Sequence, residues 1–133
     1  MATEHDTRPR PSDGELAILR VLWGRGPSTV RQVHEAIGDR GVRYTTTLKI
    51  MQVMAEKGLV ERDEANRSHV YSAAIEEVPT QRRLLSDFLD KAFGGSAGKL
   101  VMQALAAGDI SAEELREIRK LLKEKGAGHE HAR

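Results

Sequence analysis

The sequence predicts a mostly α-helical protein that contains one small β-hairpin. Apolar residues recur at steps of three and four along most of the chain, which is the period of one face of a helix. Between residues 59 and 72 the pattern changes, because short stretches rich in β-branched and aromatic residues flank a polar turn. With 133 residues, the chain is long enough for one compact domain and an additional helical segment.

The first two helices are predicted from their N-terminal caps. Ser12 and Glu15 have the spacing of a capping box, which predicts the start of a first helix that ends in the Gly-Arg-Gly-Pro sequence at 24–27. Ser28 is the predicted cap of a second helix over residues 29–37. The predicted core side of the first helix consists of Leu16, Leu19, Leu22 and Trp23, and that of the second consists of Val30, Val33 and Ile37.

The third predicted helix, residues 43–58, separates apolar and polar positions onto two faces. Thr47, Ile50, Met51 and Met54 form the stripe that we expect to be buried. Gly58 is expected to end the helix in the left-handed conformation. The opposite face carries hydroxyls, an amide, a cation and a methyl-bearing side chain, which is the chemistry of base and phosphate contacts, at Thr45, Thr46, Leu48, Lys49 and Gln52.

A hairpin directly after such a helix is the order of a winged helix-turn-helix. Strands are predicted over 59–63 and 69–72, with a turn at Glu64–Arg67. Between residues 40 and 58 there are four cations and one carboxylate, so the local charge favours phosphate although the whole chain carries only +1. The predicted DNA-binding residues are Arg43, Tyr44, Thr45, Thr46, Leu48, Lys49 and Gln52 of the third helix, Arg67 of the hairpin turn, and Ser28 and Thr29 at the start of the second helix.

Residues 78–126 are predicted to form a helical dimerisation domain. Short helices with apolar stripes and a Gly-rich break bury little surface alone, so we expect them to pair with a second copy of the chain; packing back onto the N-terminal half is the alternative. Gly126 is expected to end the last helix. The predicted division is a disordered leader at 1–11, the winged helix at 12–77, the dimerisation domain, and a polar tail at 127–133. The predicted interface residues of the dimerisation domain are Leu84, Phe88, Leu89, Phe93, Leu100, Val101, Leu105, Leu115, Ile118 and Leu122.

The composition excludes several kinds of site. The absence of Cys excludes disulfides, thiolate metal sites and a Cys nucleophile. His34 and His69 stand alone, and no phosphate-binding loop or metal-ligand spacing is present, so neither an enzyme nor a cofactor is predicted. No apolar run is long enough to span a membrane and no signal peptide is evident, so we expect a cytoplasmic protein without membrane contact.

Four segments in this order resemble the BlaI/MecI/CopY penicillinase-repressor family. They are SDGELAILRVLW at 12–23, YTTTL at 44–48, EKGLV at 56–60 and VYS at 70–72, and the likeness covers about residues 12–125. The resemblance implies a homodimeric winged-helix repressor that binds an inverted-repeat promoter operator, commonly with TACA/TGTA cores. It also implies relief of repression by a membrane sensor protease that cuts the C-terminal arm, near Leu100 to Leu105 in this chain. The Cys motif of copper-responsive members is absent.

Two other functions remain open from the residues alone. The polar face of the third helix is also suited to a winged-helix protein-interaction module. A regulator that binds a small ligand directly, as MarR-type winged helices do, is a further alternative, although the low aromatic content, 4%, argues against a roomy pocket.

Overall fold

The computed structural model describes residues 10–38, 41–65 and 67–131. Within these ranges the chain forms six helices and three short strands. It divides into two compact units, one up to Leu85 and one from Ser86 onward. Most of the predicted leader (residues 1–9), Arg40, Asn66 of the predicted turn and the last two residues of the predicted tail lie outside the described ranges.

The first helix, α1 (Asp13–Arg25), begins with the predicted capping box. The Ser12 hydroxyl accepts a hydrogen bond from the Glu15 amide at 3.2 Å, and the Glu15 carboxylate accepts one from the Ser12 amide at 2.9 Å. Leu19 and Leu22 are buried as predicted, and Ile18 is buried with them. Leu16 was expected in the core but is only half-buried, because the inner face of α1 is centred on Ile18 and Leu22.

The second helix, α2 (Val30–Ile37), corrects the predicted cap. Its cap is Thr29, whose hydroxyl accepts from the Gln32 amide at 3.2 Å while the Gln32 side chain accepts from the Thr29 amide. Ser28 and Thr29 instead form a short strand, β1, whose register pairs Ser28 with Tyr71. The hydroxyl cap therefore lies one residue later than expected, because the Ser28 hydroxyl is buried and donates to the Gly26 carbonyl.

The third helix, α3 (Tyr44–Lys57), has the predicted inner stripe. Thr47, Met51 and Met54 are buried and Ile50 is half-buried. Gly58 ends the helix at φ 81°, and the Leu59 amide donates to the Met54 carbonyl at 2.9 Å, so both the helix end and its left-handed cap are confirmed.

The predicted hairpin consists of β2 (Val60–Asp63) and β3 (Val70–Ala73), in a three-stranded antiparallel sheet of order β1-β3-β2. Trp23 of α1 donates from its indole Nε1 to the carbonyl of Ile75 at 3.0 Å, which ties the end of the hairpin to α1. The prediction of a mostly α-helical winged-helix unit with one small hairpin is thus confirmed. Its core consists of Ile18, Leu19, Leu22, Val30, Val33, Met51, Met54, Leu59, Val60, Tyr71 and Ile75.

The remaining helices are α4 (Glu77–Phe93), α5 (Ala97–Ala107) and α6 (Ala112–His131). The predicted junction at 76–79 is helical from Glu77, because Pro79 lies in the first turn, where a helix tolerates proline. The division between the two compact units falls within α4, after Leu85, and the predicted domain boundary at 77/78 stays a prediction. None of the described helices is both long and apolar enough to cross a membrane.

The predicted end of the last helix at Gly126 is wrong. α6 begins after the predicted Ser111–Glu114 capping box and continues through Gly126 to His131. Gly126 does not have the positive φ of a terminating glycine, and a glycine inside a helix costs only about 1 kcal/mol relative to alanine. The segment expected to be a separate polar tail is therefore helical from residue 127 to 131.

Candidate nucleic-acid interface

The outer face of α3 carries a continuous polar stripe. Thr45, Lys49 and Gln52 follow one another at steps of four and three residues, and all three are exposed. Thr46 and Arg43 are exposed beside them. Because the opposite stripe of α3 is anchored in the core, the helix presents these side chains outward on a fixed support.

A concave surface that encloses a volume of about 410 Å³ lies between α3, the start of α2 and the hairpin. From α3 it is lined by Tyr44, Leu48 and Gln52, which are spaced four residues apart, and it also includes Thr29 and Arg67. The structure thus brings five of the predicted DNA-binding residues to one surface. It adds residues that the sequence did not predict, namely Arg31, Arg62, Ser68 and His69.

Three of the predicted contact residues have side chains that are less available than expected. Ser28 is 1% exposed and its hydroxyl donates to the Gly26 carbonyl at 2.9 Å, so this side chain is engaged within the protein, and the phosphate contact predicted for the start of α2 stays a prediction. Leu48 is half-buried against the core, so only part of its side chain remains at the surface. The Thr29 hydroxyl is engaged in the cap of α2.

A group of side chains joins α2 to the first turn of α3, and two of its members, Arg31 and Tyr44, line the concave surface. The Arg31 guanidinium carbon lies 4.8 Å from the centre of the Tyr44 ring, within the range of a cation–π contact. The His34 ring meets the Tyr44 ring edge-on, with centroids 5.8 Å apart, and His34 Nδ1 lies 2.9 Å from the Thr47 hydroxyl. Sequence periodicity gave no signal for this group, because its members belong to two different helices.

The cations of the hairpin differ in their pairing. Nη2 of Arg62 lies 2.5 Å from Oε2 of Glu64. The hydrogen bond of Arg62 to Tyr71, followed in size by the one to Glu64, raises the pKa of Arg62. Arg67 is exposed, lines the concave surface and forms no ion pair with a carboxylate among the described residues. The charged side chains that line this surface are all arginines, so it favours an anion.

Lys57 at the end of α3 is directed away from the polar stripe. Its Nζ lies 2.7 Å from Oε2 of Glu15, a carboxylate that is 4% exposed. Burial acts to raise the pKa of Glu15, but the hydrogen bond and charge of Lys57, together with the hydrogen bonds from Ser12, outweigh it and lower that pKa below its ordinary value. Lys57 is one of the four cations between residues 40 and 58. Its ion pair with Glu15 removes most of what Lys57 contributes to the local positive charge.

The side chains predicted for dimerisation, all but Leu84 in the second unit, are exposed or half-buried. Among the described side chains from 86 to 127, none is buried. Phe88 is 51% exposed and Leu122 is 57% exposed, while Phe88 and Phe93 meet edge-on at 5.6 Å. The other predicted interface residues are exposed at Val101 and Leu105 and half-buried at Leu84, Leu89, Leu100, Leu115 and Ile118.

No group of three or more His, Asp or Glu side chains in the described part of the chain has an arrangement that would hold a metal ion. The side chains that line the concave surface provide hydroxyls, one amide, two phenol rings, an imidazole and guanidinium groups. Groups of these kinds are able to contact phosphates and base edges.

Comparison with known proteins identifies the family. The family model described as penicillinase repressor matches residues 11–124. The transcriptional regulator BlaI of Mycobacterium tuberculosis is 33% identical over 122 residues, which cover 90% of this chain and 88% of that protein. The penicillinase repressor of Bacillus licheniformis is 24% identical, covering 87% of this chain and 91% of that protein. The methicillin resistance regulatory protein MecI of Staphylococcus aureus is 22% identical, covering 86% and 94%.

A crystal structure of a MarR family transcription regulator aligns with a TM-score of 0.46 at 21% identity, over 91% of this chain and 73% of that one. That score is too low to support an argument about function. The assignment depends instead on the family match, which spans both compact units, and on the relatives' sequences. On this evidence, the chain belongs to the penicillinase repressor family.

Proposed function

We propose that this protein is a sequence-specific DNA-binding transcriptional repressor that binds an inverted-repeat operator as a homodimer in the cytoplasm. The observation that carries the proposal is the exposed stripe of Thr45, Lys49 and Gln52 on a helix whose opposite side is anchored in the core. Membership of the penicillinase repressor family supports it, as do relatives that are named repressors and transcriptional regulators.

The stripe has the chemistry needed for the major groove. A glutamine amide forms paired hydrogen bonds with adenine, a lysine donates to guanine, and a threonine contributes a hydroxyl and a methyl group that contacts thymine. With α3 in the groove, Arg43 and Thr46 lie beside the stripe, and Arg67 of the hairpin lies where a backbone phosphate is expected.

The dimer is proposed from the unburied apolar side chains of the second unit. A two-fold pair of helices that covers Phe88, Leu105 and Leu122 removes apolar surface from water, at about 25 cal/mol per Å². A two-fold dimer presents two reading helices in opposite orientations. We therefore expect an inverted repeat whose half-sites are separated by about one helical turn of DNA or a multiple of it.

Relief of repression by an upstream signal belongs to the proposal through the family resemblance. A membrane sensor protease that cuts the C-terminal arm would act near residues 100–105. The exposure of Val101 and Leu105 in α5 supports access to this segment. Cutting within a helix that contributes to the dimer would weaken operator binding, because each half-site would then be bound by a separate winged helix.

The test is a titration of the purified protein against a labelled inverted-repeat duplex with TACA/TGTA half-sites and a scrambled duplex of equal length, at two salt concentrations. We expect a preference of about 10³-fold or more for the inverted repeat, and binding that weakens as salt rises. If both duplexes bind equally and weakly, selection from random DNA decides between a different operator and a protein-interaction module. Failure of that selection would refute DNA reading.

A further inference from the structure

Arg31 occupies a position in α2 that is electrostatically unfavourable for that helix. Arg31 is the second residue of α2 and is exposed. A cation near a helix N-terminus is unfavourable, since that end carries a partial positive charge, and the first turn of α2 contains no acidic residue to offset it. No described carboxylate forms an ion pair with Arg31. The guanidinium is therefore a charge without a structural counterion in the described part of the chain.

The orientation of Arg31 is nevertheless fixed. Its guanidinium lies 4.8 Å from the centre of the Tyr44 ring, and the His34 ring supports Tyr44 from the side. His34 is held in turn by the contact of its Nδ1 with the hydroxyl of Thr47, which is 2% exposed. This series of contacts connects an exposed cation to the core, and a guanidinium held in this way loses less side-chain entropy when it binds a ligand.

The location of Arg31 relative to the polar stripe of α3 indicates which ligand Arg31 contacts. Tyr44 directly precedes Thr45, so it lies about 100° around α3 from that residue, on the flank of the helix and not at its outermost line. Arg31 lines the same concave surface as Gln52 and Arg67. When a helix occupies the major groove, its flanks face the sugar-phosphate backbone, and only its outer line faces the base edges.

We propose that Arg31 binds a DNA backbone phosphate at the edge of the groove read by α3, and that Tyr44 is its positioning residue. This inference rests on the proposed function, because it names a contact made by the same DNA-reading surface. The guanidinium provides paired N–H donors for phosphate oxygens, while its face remains stacked on the ring. Such a contact contributes affinity for any duplex and carries no sequence information.

The test compares full-length Arg31→Ala with the wild-type protein on the preferred operator and on a scrambled duplex, over a series of salt concentrations. Removing one phosphate contact per subunit lowers the slope of log K against log salt by about 0.9, or about 1.8 for a bound dimer. At 0.15 M salt the same relation gives about fivefold weaker binding per subunit, or about 30-fold for the dimer. The ratio of operator to scrambled affinity is expected to stay unchanged. The matched control is Arg20→Ala, which removes an exposed arginine on α1 that does not line the concave surface.

The positioning role of Tyr44 is tested by a double-mutant cycle. Tyr44→Phe keeps the ring and is expected to retain the Arg31-dependent part of binding, whereas Tyr44→Leu is expected to lose it. In the Arg31→Ala background, the Tyr44→Leu and Tyr44→Phe variants should then bind DNA with nearly equal affinity. A merely structural role for Tyr44 would give the same loss in both backgrounds. Circular dichroism melting of each variant checks that the fold is retained.

The outcomes separate the two proposals. An unchanged salt slope and affinity in Arg31→Ala, with a wild-type protein that binds its operator, overturns the phosphate contact and leaves the proposed function intact. A loss confined to the operator would assign Arg31 to a base and would also overturn it. A wild-type protein that binds no duplex, including those selected from random DNA, overturns both.

Discussion

Replacing Lys57 with methionine tests the contact that connects the last turn of α3 to α1. Lys57 Nζ lies 2.7 Å from Glu15 Oε2, and the Glu15 side chain is 5% exposed while that of Lys57 is 37% exposed. Methionine keeps most of the apolar stem and removes the charge. The substitution therefore leaves a buried carboxylate without its cation.

The expected loss of stability lies between two limits. An exposed ion pair contributes about 0–1 kcal/mol, whereas removing one partner of a buried pair costs about 3–5 kcal/mol. More than a third of the Lys57 side chain is exposed, so solvent screens part of the interaction, and Glu15 keeps its hydrogen bond from the Ser12 amide. We therefore expect the free energy of unfolding at pH 7 to fall by about 2 kcal/mol, which lowers Tm by roughly 10 °C for a unit of this size.

The effect should depend on pH with a definite sign. In the wild-type protein the folded pKa of Glu15 is lowered, so its contribution is present above the ordinary pKa of 4.5 and is lost as the pH falls through the folded pKa. Without Lys57, burial is the largest of the remaining influences on the pKa of Glu15, and we expect it to raise that pKa against the hydrogen bonds from Ser12. The penalty in Lys57→Met then fades as the carboxyl protonates, and the two proteins should converge in stability as the pH falls from neutrality toward 4.

Chemical denaturation followed by circular dichroism at pH 7, 5 and 4 measures this difference. The matched control is Lys49→Met, which makes the same chemical change on the exposed face of α3, where no described ion pair is lost. The control is expected to change stability by less than about 0.5 kcal/mol. Equal stabilities for the two variants at pH 7, or a Lys57→Met deficit that does not shrink in acid, would refute the reasoning.

Three further predictions concern the operator, the dimer and the core. Lys49→Ala should weaken operator binding by about 1–3 kcal/mol if Lys49 reads a base, measured by fluorescence anisotropy; unchanged operator affinity would remove Lys49 from the reading surface. Leu105→Glu should shift sedimentation toward monomer because a charge would enter the proposed apolar interface, whereas Gln103→Glu on the same helix should not; a dimeric Leu105→Glu contradicts the interface. Trp23→Phe should lower the unfolding free energy by about 1–2 kcal/mol, since the hydrogen bond to the Ile75 carbonyl is lost; an unaltered denaturation midpoint would show that bond to be dispensable.

The features that were predictable from the sequence are those specified by neighbouring residues. The Ser12 capping box, the left-handed Gly58 and the inner stripe of α3 each depend on contacts within a few positions, and the structure contains all three. The strands of the hairpin also follow from local composition. Local rules succeed here because the tertiary environment reinforces the preference of each segment.

The features that were missed depend on residues far apart in the chain. Ser28 and Thr29 are both good caps, but the Ser28 side chain is buried with its hydroxyl bonded to the Gly26 carbonyl, and so Thr29 caps the helix. The contact of Arg31 with Tyr44 and that of Glu15 with Lys57 join different helices, so no spacing rule indicates them. The DNA-contact and dimer residues remain predictions.

The smallest strand of the protein has a mechanical consequence. Thr29 caps α2 and at the same time pairs with Val70 of the hairpin, so one residue belongs to both the helical part and the sheet. A hinge movement of the hairpin away from α3 would therefore have to break a strand pair and disturb a helix cap together. Under the proposed function, the spacing between α3 and the hairpin would be set before DNA binds, and a duplex would have to bend to that spacing or be rejected, so the width of the groove would be read as well as its bases.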